Sequence, residues 1–315
     1  MKRLKKIYLK TALIAALVLI ACMVAGSFFD FQISKALYPG HEGSVGQFFA
    51  AFGELPMFML ISGAGALLFT VRTRLRSDWN LLFILAAVIL CVGAIAYGAH
   101  EAHDNVSAMP LWVAVLVTAF FCVLTMFGLL ILSRGCSART VLRFLCTVVF
   151  VCVVTTLLVN LIKIPWGRAR MRLIAATGNE SFFTPWWKIG TDLKERLVAD
   201  GIDSHEFRSF PSGHTACAAC AMLALLLPTL SRRWRGKERL CVLIGAAWTL
   251  VVAVSRIFMG AHFLTDVAAA ALIFLAVSAL GIYLFYFNHK VFRFLWGLLA
   301  EQESRGKDEE PNEQE

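Results

Sequence analysis

Charge is what this sequence has least of. Of its 315 residues only 16% are Asp, Glu, Lys or Arg, against about 25% in a typical soluble domain. With 59% hydrophobic residues and a mean hydropathy of +0.71, that shortage excludes a disordered chain, a collagen, a coiled coil and an ordinary cytosolic enzyme. A disulfide framework is missing too. The nine cysteines are an odd number; Cys22, Cys91, Cys122, Cys146, Cys152, Cys217, Cys220 and Cys241 lie in apolar runs and Cys136 in a short loop. They read as buried small hydrophobes. Cys217 and Cys220 are spaced as C-x-x-C, but no second pair or nearby histidine completes a zinc site. No internal repeat is visible, and the charges gather at the ends of apolar runs, which argues against a transporter. No G-x-S-x-G elbow accompanies Ser212, His214 and Asp266, so a serine-hydrolase triad is disfavoured.

What is present is a set of eight apolar stretches, near 8–28, 50–71, 79–98, 111–133, 141–163, 211–230, 239–259 and 265–287. Each approaches the ~20 residues a membrane-spanning helix needs. The second is the weakest, with Pro56 inside it and Gly63 and Gly65 beyond. The first follows Lys2, Arg3, Lys5 and Lys6 and resembles a signal peptide, and Leu19-Ile20-Ala21-Cys22 resembles a lipoprotein cleavage site. Because Met23 to Phe29 stays apolar, an uncleaved first helix is favoured. The fold class is therefore all-α: a polytopic membrane protein of about eight helices.

The bases give an orientation. With the N-terminus inside, internal segments hold 18 Lys or Arg and external ones 10, which places both termini in the cytoplasm by the positive-inside rule. The exception is external segment 163–210, with eight: Lys163, Arg168, Arg170, Arg172, Lys188, Lys194, Arg196 and Arg208. It also carries Phe182, Phe183, Trp186 and Trp187 around Pro185, which suit either interfacial anchoring or the rim of a lipid-headgroup site. The overall charge of +9 is read as topology and anionic lipid rather than nucleic acid, since the bases sit between apolar spans. The division expected is 1–140 as N-terminal helices, 141–288 as a catalytic core with external loop 164–210, and 289–315 as an acidic, disordered tail.

Three polar clusters stand at the outer ends of spans: Lys163-Ile-Pro-Trp-Gly-Arg168-Ala-Arg170-Met171, then Phe210-Pro211-Ser212-Gly213-His214, then Ser255-Arg256 followed by Gly260, His262 and Asp266. Snorkelling anchors do not require two histidines and an aspartate beside four cations. Lys163, Arg168, Arg170 and Arg256 can surround a tetrahedral oxyanion. The second cluster opens a helix whose free N–H groups suit anions, with the Ser212 hydroxyl as a further donor and Gly213 allowing close approach. His262 and Asp266, four apart, share a face if both are helical, so Asp266 can hold one ring nitrogen and aim the other at phosphorus. His214 remains to protonate the leaving oxygen. The set calls for phosphoryl transfer through a phosphohistidine, with fixed cations rather than a metal neutralising charge.

These clusters resemble the three signature motifs of the type 2 phosphatidic acid phosphatase (PAP2) superfamily, K-x6-RP, PSGH and SR-x5-H-x3-D. The match is complete except that Met171 stands where the family usually has Pro. The resemblance implies a six-helix core with about two helices added. It makes His262 the nucleophile, Asp266 its orienting acid and His214 the general acid. Lys163, Arg170, Ser212, Gly213 and Arg256 become phosphate-binding residues, with Arg168 as a lesser one. It also implies an active site on the extracytoplasmic face, the side reached by counting bases, in what reads as a bacterial inner membrane. The expected partners are a lipid phosphate or diphosphate (a polyprenyl diphosphate among the choices) and the bilayer, with no nucleic acid, metal or cofactor. The rivals are a lipid phosphotransferase with the same chemistry, a vanadium haloperoxidase, and a non-catalytic lipid-binding or transport protein. Outside the motifs, His100-Glu101-Ala102-His103-Asp104 is expected in a short external loop, as a solvated polar run or a metal site. His205 and Glu206 either tune the pocket or belong to a loop. Asn105-Val-Ser107 and Asn179-Glu-Ser181 fit glycosylation sequons.

Overall fold

The structure, a computed structural model, describes residues 2–300 apart from 42 and 107; the tail 301–315 and Ser107 of the first sequon lie outside the described residues. Among the described residues there is no strand. In chain order the helices are α1 (Lys2–Leu37), α2 (Ser44–Phe52), α3 (Leu55–Val71), α4 (Asn80–Asn105), α5 (Leu111–Leu132), α6 (Ala138–Trp166), α7 (Met171–Thr177) and α8 (Thr191–Ala199). There follow α9 (Gly213–Ala219), α10 (Leu227–Leu230), α11 (Glu238–Phe258), α12 (Leu264–Ile282) and α13 (His289–Leu299). Eight segments are long and apolar enough to cross a membrane: Lys5–Leu37, Ser44–Arg74, Ser77–Asn105, Leu111–Leu132, Ala138–Thr177, Gly213–Leu230, Glu238–Phe258 and Leu264–Phe287. They correspond one to one with the expected apolar stretches.

Most of these helices are continuous because nothing in their apolar runs breaks the backbone ladder. Two are not. The second span stops at Gly53 and restarts as α3 with Pro56 in its first turn, a position where a missing N–H costs nothing. The sixth passes from α9 through a 3-10 segment, Cys220–Leu226, into α10. Helix α1 has 36 residues, about 54 Å at 1.5 Å per residue, against a hydrocarbon core of about 30 Å. Its C-terminal turns therefore extend beyond the apolar slab, and they carry Asp30.

Helix α3 is the buried element of the N-terminal half, packed against α4, α5 and α6, while α12 packs against α1, α6 and α9, and α11 against α9. The largest core cluster joins Phe58 and Leu67 of α3 to Phe144 and Val148 of α6, to Leu223 and Leu226 of the sixth span, and to Phe274 of α12. In lipid such contacts hold helices together by close packing rather than by exclusion of water. Leu13, Ile14 and Leu17 of α1, and Leu116, Phe120 and Phe127 of α5, face outward, as lipid-facing surfaces should.

The expected division is not a packing division. Helix α1 lies along α12, with Tyr8 Oη and Ser278 Oγ 3.3 Å apart, and α3 lies along α6. Nor does the chain lose structure at residue 289. The Asn288 side chain caps α13 by accepting from the Lys290 and Val291 N–H groups. Arg143 and Arg139 of α6 then sit over the rings of Phe292 and Trp296. Helix α4 also runs on to Asn105, so the residues from His100 to Asp104 are helical rather than a loop.

Candidate active site

Each motif residue is delivered by a helix end. Lys163 is in the last turn of α6, Arg170 caps α7, His214 is the second residue of α9, and Arg256 is in the last turn of α11. His262 lies in the short turn between α11 and α12, and Asp266 in the first turn of α12. The turn needs Gly260, whose φ is +62°; a Cβ there would meet Arg172 N and Tyr38 Cδ2 at 3.0 Å. Arg172 N–H donates to the Gly260 carbonyl at 3.0 Å. The segment after α6 is thereby tied to the turn that presents His262.

His262 and Asp266 do not share a helix, because α12 begins only at Leu264. The direct partner of the ring is a backbone carbonyl: His262 Nδ1 donates to Ser209 O at 2.6 Å, while Asp266 Oδ2 stands 3.8 Å from Nδ1. A carbonyl only accepts, so Nδ1 carries the proton and Nε2 keeps its lone pair. Asp266 works through that arrangement. Its Oδ2 accepts from Ser209 Oγ at 2.5 Å and from Phe263 N–H at 2.7 Å, fixing both segments that hold the ring. Burial pushes the His262 imidazole down to about 3; Arg256 and Lys163 act in the same direction and Asp266 against it. The ring is therefore neutral, as an attacking nitrogen must be.

Arg168 is placed away from the other cations. It is fully buried and does not line the cavity described below. Its Nη1 donates to Asp266 Oδ1 at 2.5 Å and to Thr265 Oγ1 at 2.9 Å, its Nη2 to Asp30 Oδ2 at 2.9 Å, and its Nε to Thr184 O at 2.8 Å. Phe263 and Phe183 stack against the guanidinium, 4.2 and 5.5 Å from its carbon. With its donors turned to these partners, the expected phosphate-binding role gives way to a structural one: this cation is the counter-ion of two buried carboxylates. Asp30 is bound further by the N–H and hydroxyl of Thr265. Phe183 and Trp186 of the aromatic group face inward, on Phe263 and Phe210, whereas Trp187 is 56% exposed.

His214 is held from the N-terminal half. Its Nε2 donates to the Ala50 carbonyl at 2.8 Å, and its Nδ1 is 3.3 Å from Glu54 Oε1. Ala50 is near the end of α2, where the last four carbonyls of a helix have no partner within it. The break in the second span thus leaves backbone acceptors inside the protein, and the site's own residues satisfy them. Trp248 Nε1 serves the Gly53 carbonyl in the same way, at 3.0 Å. Ser212 caps α9, its Oγ accepting from Thr215 N–H and from Thr215 Oγ1, which leaves its own hydrogen to donate.

The groups converge on a cavity of about 150 Å³ lined by Lys163, Arg170, Gly213, His214 and His262, and also by Glu54, His205 and Arg208. That is roughly ten times what one water requires. A Cβ at Gly213 would stand 3.2 Å from Lys163 Nζ, so a side chain there would crowd the cation. Arg170 Nε is buried with no hydrogen-bond partner among the described residues, a donor that an oxyanion would satisfy. Glu206 orients this edge: it takes Arg172 at 2.6 Å, lies 3.7 Å from Arg170 Nη1, and accepts from Arg170 N–H through its carbonyl at 2.9 Å. A second cavity of about 260 Å³ shares Arg170, His205, Asp104 and Asn105 with the first and adds Arg256. Tyr97 and Glu101 of α4 line the first cavity as well, so the polar end of α4 is a wall of the site.

Five of the expected residues therefore line one cavity, with Arg256 on the space adjoining it. Asp30, Ala50, Glu54, Ser209 and Arg208 are the ones that motif reading missed. A signal existed for two of them, since an acid within or beside an apolar span is costly unless it is used. Met171 has a plain account: it opens α7 at the position where Pro is tolerated, and its side chain packs with Ile174 and Phe263.

Residues 144–290 match the PAP2 superfamily model. Phosphatidylglycerophosphatase B of Bacillus subtilis (strain 168) is 34% identical over 96 residues, 27% of this chain. The aligned part spans 42% of that relative's length. No solved structure matches the chain significantly.

Proposed function

For a chain whose residues 144–290 belong to the PAP2 superfamily, we propose hydrolysis of a lipid phosphate or diphosphate through a phosphohistidine on His262. The observation that carries this reading is the Nδ1–H donated to the Ser209 carbonyl, which leaves Nε2 as a lone-pair donor in a cavity shared with Lys163, Arg170 and His214. The three non-bridging oxygens fall to Lys163, Arg170, Arg256 and the donors at Ser212 and Gly213. Each well-aimed donor lowers the barrier by about 3 kcal/mol. The Nε2–phosphorus bond forms as the bond to the lipid oxygen breaks, and His214 protonates that oxygen. Water then attacks the phosphohistidine, returns a proton to His214 and releases phosphate. The positive charge that develops on the His262 ring is met by the Ser209 carbonyl and the nearby Asp266 carboxylate.

The relative's name refers to phosphatidylglycerophosphate, and that lipid is a first candidate here; phosphatidic acid and a polyprenyl diphosphate are the others. The cations at the site are fixed side chains, so the reading is a metal-independent one. The excess of bases in the opposite loops supports a site on the extracytoplasmic face of a bacterial inner membrane, with both termini cytoplasmic. Phosphate release from these lipids, in detergent and EDTA, tests the reading. It should persist in EDTA and vanish in His262→Ala. Release equal in wild type and variant would remove His262 from the mechanism, and a phosphorylated acceptor in place of free phosphate would make the protein a phosphotransferase. A fluorescent protein that matures only in the cytoplasm, fused to the C-terminus, tests the sidedness.

A further inference from the structure

We propose that Glu54, supplied by the break between α2 and α3, is a positioning residue for leaving-group protonation: together with the Ala50 carbonyl it holds the His214 ring in one orientation and balances its charge. The inference rests on the phosphatase reading and adds to it a residue that lies outside the three motifs and outside residues 144–290.

The argument starts from the two ring nitrogens. Nε2 is 2.8 Å from a carbonyl, which only accepts, so Nε2 carries hydrogen. Nδ1 is 3.3 Å from Glu54 Oε1. If Nδ1 were a bare lone pair beside a carboxylate oxygen, the two would repel, so the arrangement favours a proton between them. Glu54 and Ala50 are four residues apart across the helix break, and in an unbroken helix the Ala50 carbonyl would accept the N–H of residue 54. The break frees that carbonyl for His214 and sets Glu54 beside the same ring. One local irregularity supplies both contacts.

The proton then balances over both steps. In the first, Nε2 of His262 bonds to phosphorus, the lipid oxygen leaves and takes the Nδ1 proton, and a neutral His214 faces the Glu54 carboxylate. In the second, water bonds to phosphorus and gives its proton to Nδ1, and the phosphorus–nitrogen bond breaks. Glu54 holds the ring for the first of these transfers, without touching the substrate.

Glu54 is also acted on by the charges of Glu101, Lys163 and Arg256 and accepts a hydrogen bond from Cys217. A Cβ built on Gly213 would lie 3.2 Å from Lys163 Nζ and 3.9 Å from Glu54 Oε1, so Glu54 is also placed to act as a counter-ion for Lys163. The two roles separate by leaving group. An alkoxide needs a proton to depart and a nitrophenolate does not, whereas Lys163 binds the same phosphate in both. The test compares the wild type with Glu54→Gln on phosphatidic acid in mixed micelles and on p-nitrophenyl phosphate, with thermal melting in detergent as the check on folding. The expected result is a fall in kcat of about 10²-fold or more on the lipid, less than about threefold on the aryl ester, and little change in KM. Glu54→Gln combined with His214→Ala should be no slower than His214→Ala alone, because the two act as one unit. If Glu54→Gln fails to fold, Glu54→Asp carries the same test, since it draws the carboxylate back by one methylene. Equal losses on both esters, or a loss confined to KM, would overturn the proposal in favour of the Lys163 role. A wild type that turns over neither ester would overturn the phosphatase reading itself, and the inference with it.

Discussion

Residues 141–288 and residues 1–140 reach the same cavity, but they bring different kinds of group. The later region lines it with Lys163, Arg170, Gly213, His214 and His262. The earlier one supplies Asp30, the Ala50 carbonyl and Glu54, each of which acts on a residue of the later region. Arg170, which lines the cavity, has an Nε with no hydrogen-bond partner among the described residues. The cation that meets the earlier region, Arg168, is turned to protein acceptors and is fully buried. Two arginines separated by a single residue thus divide into one that lines the cavity and one turned to protein acceptors, and the difference lies in what surrounds them.

The contrast can be broken in several ways. The largest effect belongs to His262→Ala, which should lower phosphate release by about 10⁴-fold or more while leaving the fold intact; melting and activity of the same preparation check both halves of that statement. Next is Arg168→Ala. It leaves the Asp30 and Asp266 carboxylates buried without their cation and should cost about 3–5 kcal/mol of stability, seen as a lower melting temperature in detergent before any assay. Arg170→Ala should behave the opposite way, with near-normal melting and a turnover reduced about 10²–10³-fold. If both arginine variants lose stability equally, the division between them is wrong.

Asp30→Asn tests the earlier region by itself. It weakens a charged hydrogen bond to Arg168 and should cost about 1.5–3 kcal/mol, with activity falling only as the folded fraction falls. The pH response is subtler. His262 titrates near 3 in the folded protein, below the ordinary histidine value of about 6.5. The unfolded chain therefore binds more protons between those values, and stability from this group is fully present above about pH 6.5 and is lost as pH falls toward 3. The groups acting on the ring are Asp266, Arg256 and Lys163. Melting temperature against pH should accordingly slope less in His262→Asn than in the wild type. Nor should activity lose an acidic limb to His262 until pH approaches 3. The smallest effect is that of Met171→Pro. The backbone accepts Pro at the first position of α7, the buried side chain is shortened, and the net change should stay within about 1 kcal/mol by melting.

Much of this was legible in advance, for reasons that differ by residue. The eight spans could be read because twenty apolar residues in lipid have few alternatives to a helix. His262, His214 and Lys163 could be read because their spacing within short segments is chemical information in itself. The geometry of the His262–Asp266 pair could not. Four residues suggest a helical face, but α12 starts after His262, and the ring's partner is the Ser209 carbonyl from another segment. Arg168 could not be told from Arg170, since sequence carries no record of which one Asp30 would reach. The helical end of α4 was hidden for a related reason: its polar residues look like loop until their role as a cavity wall is seen.

The sequence alone determined the material and the kinds of group available: helices because the bilayer leaves backbone groups no other partner, with histidines and cations recurring at the span ends. Only the tertiary structure decided which groups face the cavity and which hold them there. That choice depends on helix α1 lying along α12 and on a helix break opening beside His214. Contacts of this kind join residues more than a hundred positions apart, as Asp30 to Arg168 and Ala50 to His214. No local pattern encodes them, because they arise from packing between helices rather than from the propensities within any one of them.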